Sequence, residues 1–274
     1  MIIVTGATGQ LGSLIVERLL ERVPAEAVGV SVRDPDQATS LAERGVRVRR
    51  GDFAEPDTLA AAFEGATQVL VVSVNALGAE NVAMTTGAID AAYAAGARRV
   101  LYTSQQAAAA DSHFAPARDH AAVEAHLRAG GRPFTALRNG YYAESLEFQL
   151  RGVSERGSIA LPADGPVSWT ARADLAEAAA VILADEGRFD GPTPPLIGAE
   201  AVDFDHVAAL LGVERTVVDD DAWVAGLIET GVPEAVAKLF LGSFLASRAG
   251  EFDRTDPTLA TLLGRAPTPV AATF

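Results

Sequence analysis

The chain has 274 residues, 49% of them apolar and 21% charged, enough for a globular fold with a substantial core. It contains no cysteine, which excludes disulfides, thiolate zinc sites, iron–sulfur clusters and a cysteine nucleophile. The net charge of −14 is uneven: residues 1–140 carry 13 Arg against 15 acids, and residues 141–274 carry 9 Lys or Arg against 21. A near-neutral first part can host an anionic ligand, whereas the acidic remainder argues against nucleic acid or anionic lipid as a partner. No basic leader precedes the first apolar segment and no apolar run reaches membrane-spanning length, so a soluble, cytoplasmic protein is expected.

Residues 2–5 read as a buried strand that runs straight into Gly6, Gly9 and Gly12. Beyond them Leu11, Leu14, Ile15, Val16, Leu19 and Leu20 fall at helical spacing, so a helix over 10–22 begins inside the motif. A strand, a glycine turn and a helix N-terminus bring orphan N–H groups and the positive end of the helix dipole to one point, an anion site. Gly6 would permit the tight turn, Gly9 close approach of the backbone to a pyrophosphate, and Gly12 close packing of helix on strand. Ala7, Thr8, Gln10 and Leu11 complete the loop. The spacing is G-x-x-G-x-x-G rather than G-x-G-x-x-G, and it is the strand–turn–helix context that points to a dinucleotide.

Further strands are expected at 27–32, 46–49, 67–72, 98–103 and 133–138, with helices between them at 36–44, 56–63, 79–95 and 115–129. That alternation implies an α/β, Rossmann-like, doubly wound parallel sheet with ligands at the carboxyl ends of its strands. The second strand ends Val32-Arg33-Asp34. An arginine there suits the 2′-phosphate of NADP, while Asp34 would suit the ribose of NAD or cap the next helix; the order favours NADPH over NADH. Asp52 and Phe53, beyond the third strand, are placed to flank the adenine, and Ser73, Val74 and Asn75, beyond the fourth, to line the nicotinamide half. Asp52 could equally cap a helix.

After Arg138 the rhythm changes. Ser158–Leu161 and Val167–Trp169 read as short strands around a Pro162–Pro166 loop, with helices at 172–185, 203–212, 221–230 and 234–248 and a strand at Leu196–Gly198. The division expected is a nucleotide-binding part, residues 1–140, and a smaller, mainly helical C-terminal lobe, 141–274, crossed by the chain and forming one compact unit. In the last long helix Leu239–Leu245 is apolar nearly all round, so that helix is buried, covers a pocket or meets another subunit in a homodimer.

These segments resemble the NmrA-like, atypical branch of the short-chain dehydrogenase/reductase superfamily, and within it the NADPH-dependent quinone and triphenylmethane reductases. The residues that carry the resemblance are Val4–Gly12, Val32-Arg33, Gly51–Phe53, Tyr102–Ser104, His120 with Glu124, Leu137–Glu144, Thr170–Glu177 and Leu263–Arg265. The resemblance implies that Gly6–Leu11, Arg33, Ser73–Asn75 and the loop Arg138, Asn139, Gly140, Tyr141 and Tyr142 contact NADPH, joined by Arg172.

The wider superfamily carries Tyr-x-x-x-Lys, and here Pro116 and His120 stand in those places, with Ser104 kept where the family holds a polarising serine. Hydride addition to a simple ketone benefits from a positioned proton donor, whereas a quinone yields a weakly basic phenolate that water or His120 can protonate. The expected activity is hydride transfer from NADPH to a quinone-like or conjugated aromatic acceptor. Ser104, His120 and Tyr141 are the candidate catalytic groups, and Tyr141, Tyr142, Trp169, Phe240 and Phe244 the candidate pocket walls. No metal site is indicated, since His120 and Glu124 lack a third ligand. The alternative is a catalytically silent NADP-binding redox sensor acting through a protein partner, which the lost Tyr–Lys pair would also suit.

Overall fold

The computed structural model describes residues 1–74, 76–153 and 157–273. Seven strands form one parallel sheet: β1 (Ile2–Thr5), β2 (Val28–Val32), β3 (Arg47–Arg50), β4 (Gln68–Val71), β5 (Arg99–Gln105), β6 (Phe134–Asn139) and β8 (Gly191–Pro192). Their order is β3-β2-β1-β4-β5-β6-β8, so the winding reverses between β1 and β4. A crevice at the carboxyl ends of the strands is dictated at such a reversal. β1, β2 and β4 are buried along their whole length, as strands covered on both faces must be.

Helices α1 (Gln10–Leu20), α2 (Thr39–Glu43), α7 (Arg172–Ala184) and α11 (Thr258–Leu263) cover one face, packing Ile15, Leu19 and Ile182 against Val4, Val30 and Leu101. On the other face α3 (Leu59–Phe63), α4 (Gly78–Ala94) and α5 (Ala115–Ala129) pack Phe63, Ile89 and Val123 against Ile3, Val69 and Tyr102. Alternate residues of each strand therefore serve different layers. None of these helices, nor any other among the described residues, is long and apolar enough to cross a membrane.

The C-terminal lobe holds a third core around Leu146, Trp169, Phe204, Phe244 and Phe252. It is built from α6 (Leu146–Gln149), β7 (Ser158–Pro162), α8 (Phe204–Leu211), β9 (Glu214–Val218), α9 (Asp220–Glu229) and α10 (Glu234–Arg248). Three expectations need correction here. β7 pairs in parallel with β9, which the sequence reading missed, while Val167 makes only an isolated bridge to Val202. Leu196 likewise bridges Asn139 at one point instead of forming a strand. The sheet gains β8, whose two residues give no periodicity to read; Arg99 fixes that edge through the carbonyls of Phe134 (2.9 Å) and Phe189 (3.1 Å).

Two buried carboxylates tie the layers together. Glu124, 1% exposed, accepts a two-point fork from Arg138 (2.9 and 2.8 Å), a bond from Arg128 (2.8 Å) and the Ser104 hydroxyl (2.7 Å). In the lobe Asp164 accepts the Phe204 N–H at 2.8 Å and pairs with Arg215 at 2.5 Å, binding β7, α8 and β9 into a unit. Removing one partner of a buried pair leaves the other charge uncompensated. Glu124→Gln is therefore expected to lower the unfolding free energy by about 3–5 kcal/mol, read from urea denaturation midpoints; an unchanged midpoint would show the network to be dispensable.

Candidate active site

The carboxyl ends of β1, β2 and β4 open into one groove of about 1010 Å³, a volume suited to a large organic ligand. Its floor is the β1–α1 turn. Gly6 holds φ +60°, a left-handed conformation that glycine adopts without strain. The N–H of Gly9 donates to the Gly6 carbonyl at 2.9 Å, and Gly12 lies so near that a Cβ there would stand 2.2 Å from the same oxygen. α1 starts with no side-chain cap and no acid in its first turn. The N–H groups of Gln10, Leu11 and Gly12, which have no carbonyl partner inside a helix, sit with Thr8 and Gly9 on the groove. An uncapped, acid-free helix start at the bottom of a groove fits a diphosphate.

At one end lie Ser31, Val32, Arg33, Gln37, Gly51, Asp52 and Phe53. Asp34 is spent on the backbone: its carboxylate accepts the N–H of Asp36 (3.1 Å) and the amide of Gln37 (3.1 Å). Arg33 is exposed and has no bonding partner among the described residues, so its guanidinium is available to an anion. The Asp52 carboxylate caps its own turn through the Ala54 N–H at 3.0 Å.

The opposite end carries Val72, Ser73, Val74, Ala76, Met84, Tyr142 and Arg172. Hydroxyls at neighbouring strand tips set this wall: Thr5 accepts the N–H of Val72 (2.9 Å) and Thr103 that of Ser73 (2.8 Å). Arg172 is the first residue of α7, its N–H held by Glu144 at 2.9 Å, and its guanidinium rests 5.1 Å over the Tyr142 ring. Burial raises the Tyr142 phenol above its ordinary range, against the Asn139 side chain and Arg172. Asn75 lies outside the described residues.

Other expected residues stand elsewhere. Arg138 faces α5 and is committed to Glu124, Asn139 is buried at the tip of β6, and Gly140 packs against Thr170 with no room for a side chain. Of the tandem tyrosines, Tyr142 meets the groove while Tyr141 turns into the lobe core, edge-on to Trp169 (5.2 Å) and Phe252 (5.3 Å). Trp169 and Phe244 belong to that core too, so they do not wall the groove, and Phe240 stacks near Phe148 at 4.7 Å. Ser104 is buried and its hydroxyl donates a hydrogen bond to Glu124, which removes it as a free polarising donor. His120 is half-buried, with Nδ1 2.6 Å from the Tyr102 hydroxyl. Thr5, Ser31, Gln37, Ala54, Ala76 and Met84 line the groove without a motif of their own; Ser31 and Gln37 lie within four residues of Arg33, the one signal that points to them.

The NAD(P)H-binding family matches residues 6–186, which span this turn, the groove and α7. The chain belongs to the NAD(P)H-binding, NmrA-like family. Among its relatives, quinone oxidoreductase 2 of Escherichia coli strain K12 is 33% identical over 279 residues, covering 99% of this chain and 96% of that protein. Among solved structures, triphenylmethane reductase of Citrobacter sp. complexed with NADP(H) is 33% identical with a TM-score of 0.91, covering 100% of this chain and 98% of that one. An NADPH-dependent quinone oxidoreductase of Escherichia coli, complexed with NADPH, is 31% identical with a TM-score of 0.93 at the same coverage.

Gly12→Ala would drive a methyl into the Gly6 carbonyl and displace the first turn of α1. Expected are a loss of about 1–3 kcal/mol in stability and at least about tenfold weaker NADPH binding, measured by denaturation and by fluorescence titration. Wild-type affinity in this variant would show that the turn does not hold the cofactor.

Proposed function

We propose that this protein is an NADPH-dependent oxidoreductase that passes hydride directly to a quinone-like or other conjugated, electron-poor aromatic acceptor. The observation that carries the reading is the pairing of Arg33, which has no partner among the described residues, with an uncapped α1 at the two stations an NADP adenosine and diphosphate would occupy. The resemblance over the full chain to quinone and triphenylmethane reductases supports the choice of acceptor.

Gly6, Thr8, Gly9, Gln10, Leu11 and Gly12 would cradle the diphosphate, and Arg33 the 2′-phosphate; Ala7, also expected there, is buried in the core away from the groove lining. Asp52 and Phe53 would border the adenine, and Ser73, Val74, Tyr142 and Arg172 the nicotinamide half. Bound NADPH supplies the hydride from its reduced ring. The chain's own part is to orient: Val72, Val74, Ala76, Met84 and Tyr142 make one end of the groove largely apolar, a surface on which a flat acceptor can lie. With Ser104 hydrogen-bonded to Glu124, and Pro116 in place of the usual tyrosine near the start of α5, the phenol on that surface is Tyr142, which burial holds above its ordinary range. An acceptor whose reduced oxygen is weakly basic needs no stronger acid.

We place the activity in the cytoplasm, and the excess of acids in the second half of the chain disfavours nucleic acid as a partner. An exposed apolar α10 would favour a sensor that acts through a protein partner, yet Phe244 and Ala246 of α10 are packed in the lobe core.

Mixing the protein with NADPH and a panel of quinones should give acceptor-dependent loss of the reduced-nicotinamide absorbance. A rate no greater than the protein-free rate with every quinone would favour the sensor. Arg33→Ala should weaken NADPH by about tenfold to a hundredfold, the worth of a hydrogen bond to a charged group, and leave NADH nearly unchanged; equal weakening of both in a calorimetric titration would remove Arg33 from the 2′-phosphate.

A further inference from the structure

We propose that Tyr102 fixes the tautomer of His120, so that His120 presents its Nε2–H to the acceptor oxygen as the hydrogen-bond donor that stands in for the absent tyrosine–lysine pair. The inference rests on the reductase reading above. Tyr102, 1% exposed near the end of β5, has its hydroxyl 2.6 Å from His120 Nδ1. A phenol has one proton to donate, and Nδ1 is the partner it finds among the described residues. Burial, reinforced by the charges of Glu124 and Asp119, holds Tyr102 well above the ordinary phenol range, so that proton stays on oxygen. With no other acceptor for the buried hydroxyl among the described residues, it donates to Nδ1, which is then the acceptor. The single proton of a neutral imidazole is left on Nε2, where it meets no protein acceptor among the described residues.

The ring is neutral for the same physical reason: burial lowers His120 to about 4, against the opposing pull of Asp119 and Glu124. Neither carboxylate bonds to it. Asp119 accepts the Gly78 N–H at 2.7 Å, and Glu124 is occupied by Arg138, Arg128 and Ser104. Across the site Tyr142 adds a smaller upward push on Tyr102. The bond between Asp119 and Gly78 also ties the start of α5 to the connection that contributes Ser73, Val74 and Ala76 to the groove. Thr103, next to Tyr102, holds Ser73 itself. α5, which carries His120 one residue after Asp119, therefore runs beside the connection that lines this end of the groove, while His120 itself stands behind the lining residues.

In the step, hydride from NADPH forms a bond to the conjugated acceptor and its electron pair moves to the acceptor oxygen, leaving the oxidised coenzyme. The Nε2–H of His120 donates to that oxyanion, and water supplies the proton that completes the hydroquinone. His120 ends as it began, so the role is electrostatic and needs no titration near neutral pH.

Nitrogen NMR of histidine-labelled protein reads the tautomer without any turnover. Expected is an unprotonated Nδ1 and a protonated Nε2 at His120 from about pH 5 to 8, giving way in Tyr102→Phe to mixed tautomers. In the quinone assay Tyr102→Phe and His120→Ala should each lower kcat by about tenfold or more with NADPH affinity unchanged. His120→Gln, which keeps a side-chain N–H, should recover part of the rate, and the wild-type kcat should be flat between pH 5 and 8. A proton on Nδ1 in the wild-type protein, or an undiminished kcat in His120→Ala, would overturn the assignment. An inactive wild type with the expected tautomer would instead defeat the reductase reading, and the donor role with it.

Discussion

One close approach governs this molecule: α1 lies on β1 so tightly that Gly12 has no room for a methyl beside the Gly6 carbonyl. That contact aims the first turn of α1 along the reversal between β1 and β4, where the groove has to be. The helix start carries neither a capping side chain nor an acid, so its N–H groups and dipole are left for an external anion. Everything assigned to the site is measured from there. Arg33 lies toward one end of the groove, Tyr142 and Arg172 toward the other.

The charges around the groove are sorted by commitment more than by kind. Glu124, Arg138, Arg128 and Ser104 satisfy one another inside the protein and hold β5, β6 and α5 in register. Asp34 is absorbed by its own turn. Among the described residues, Arg33, the α1 N–H groups and the Nε2 edge of His120 are groups that no protein partner takes up. Two of those are suited to phosphate and one to a developing oxyanion, the set a nicotinamide reductase of weakly basic acceptors requires.

Much of the nucleotide-binding part was legible in the chain because its signals are local. Glycines interrupt an apolar strand, and short apolar runs alternate with apolar residues at helical spacing through the first 140 residues. The lobe was less legible. β9 is largely exposed and pairs with a strand more than fifty residues away, and β8 is two residues long, so neither leaves a pattern. Site residues were read well where the motif fixes the backbone, as at Gly6–Gly12, and less well where one residue of phase decides the outcome. Tyr141 and Tyr142 look alike in sequence, yet one turns into an aromatic core and the other to the groove. Ser104 had the right position, but its hydroxyl donates its hydrogen bond to Glu124, twenty residues on. The pairing of Tyr102 with His120 is of the same kind, invisible until β5 and α5 are side by side.

The central claim is that the start of α1 grips a dinucleotide diphosphate, and a crystal structure of the protein with NADPH tests it most directly. The account predicts diphosphate oxygens within about 3 Å of the N–H groups of Gln10, Leu11 or Gly12, the usual reach of such bonds, with the 2′-phosphate on Arg33. A cofactor seated with its diphosphate away from this turn, in crystals that bind it fully, would contradict the account.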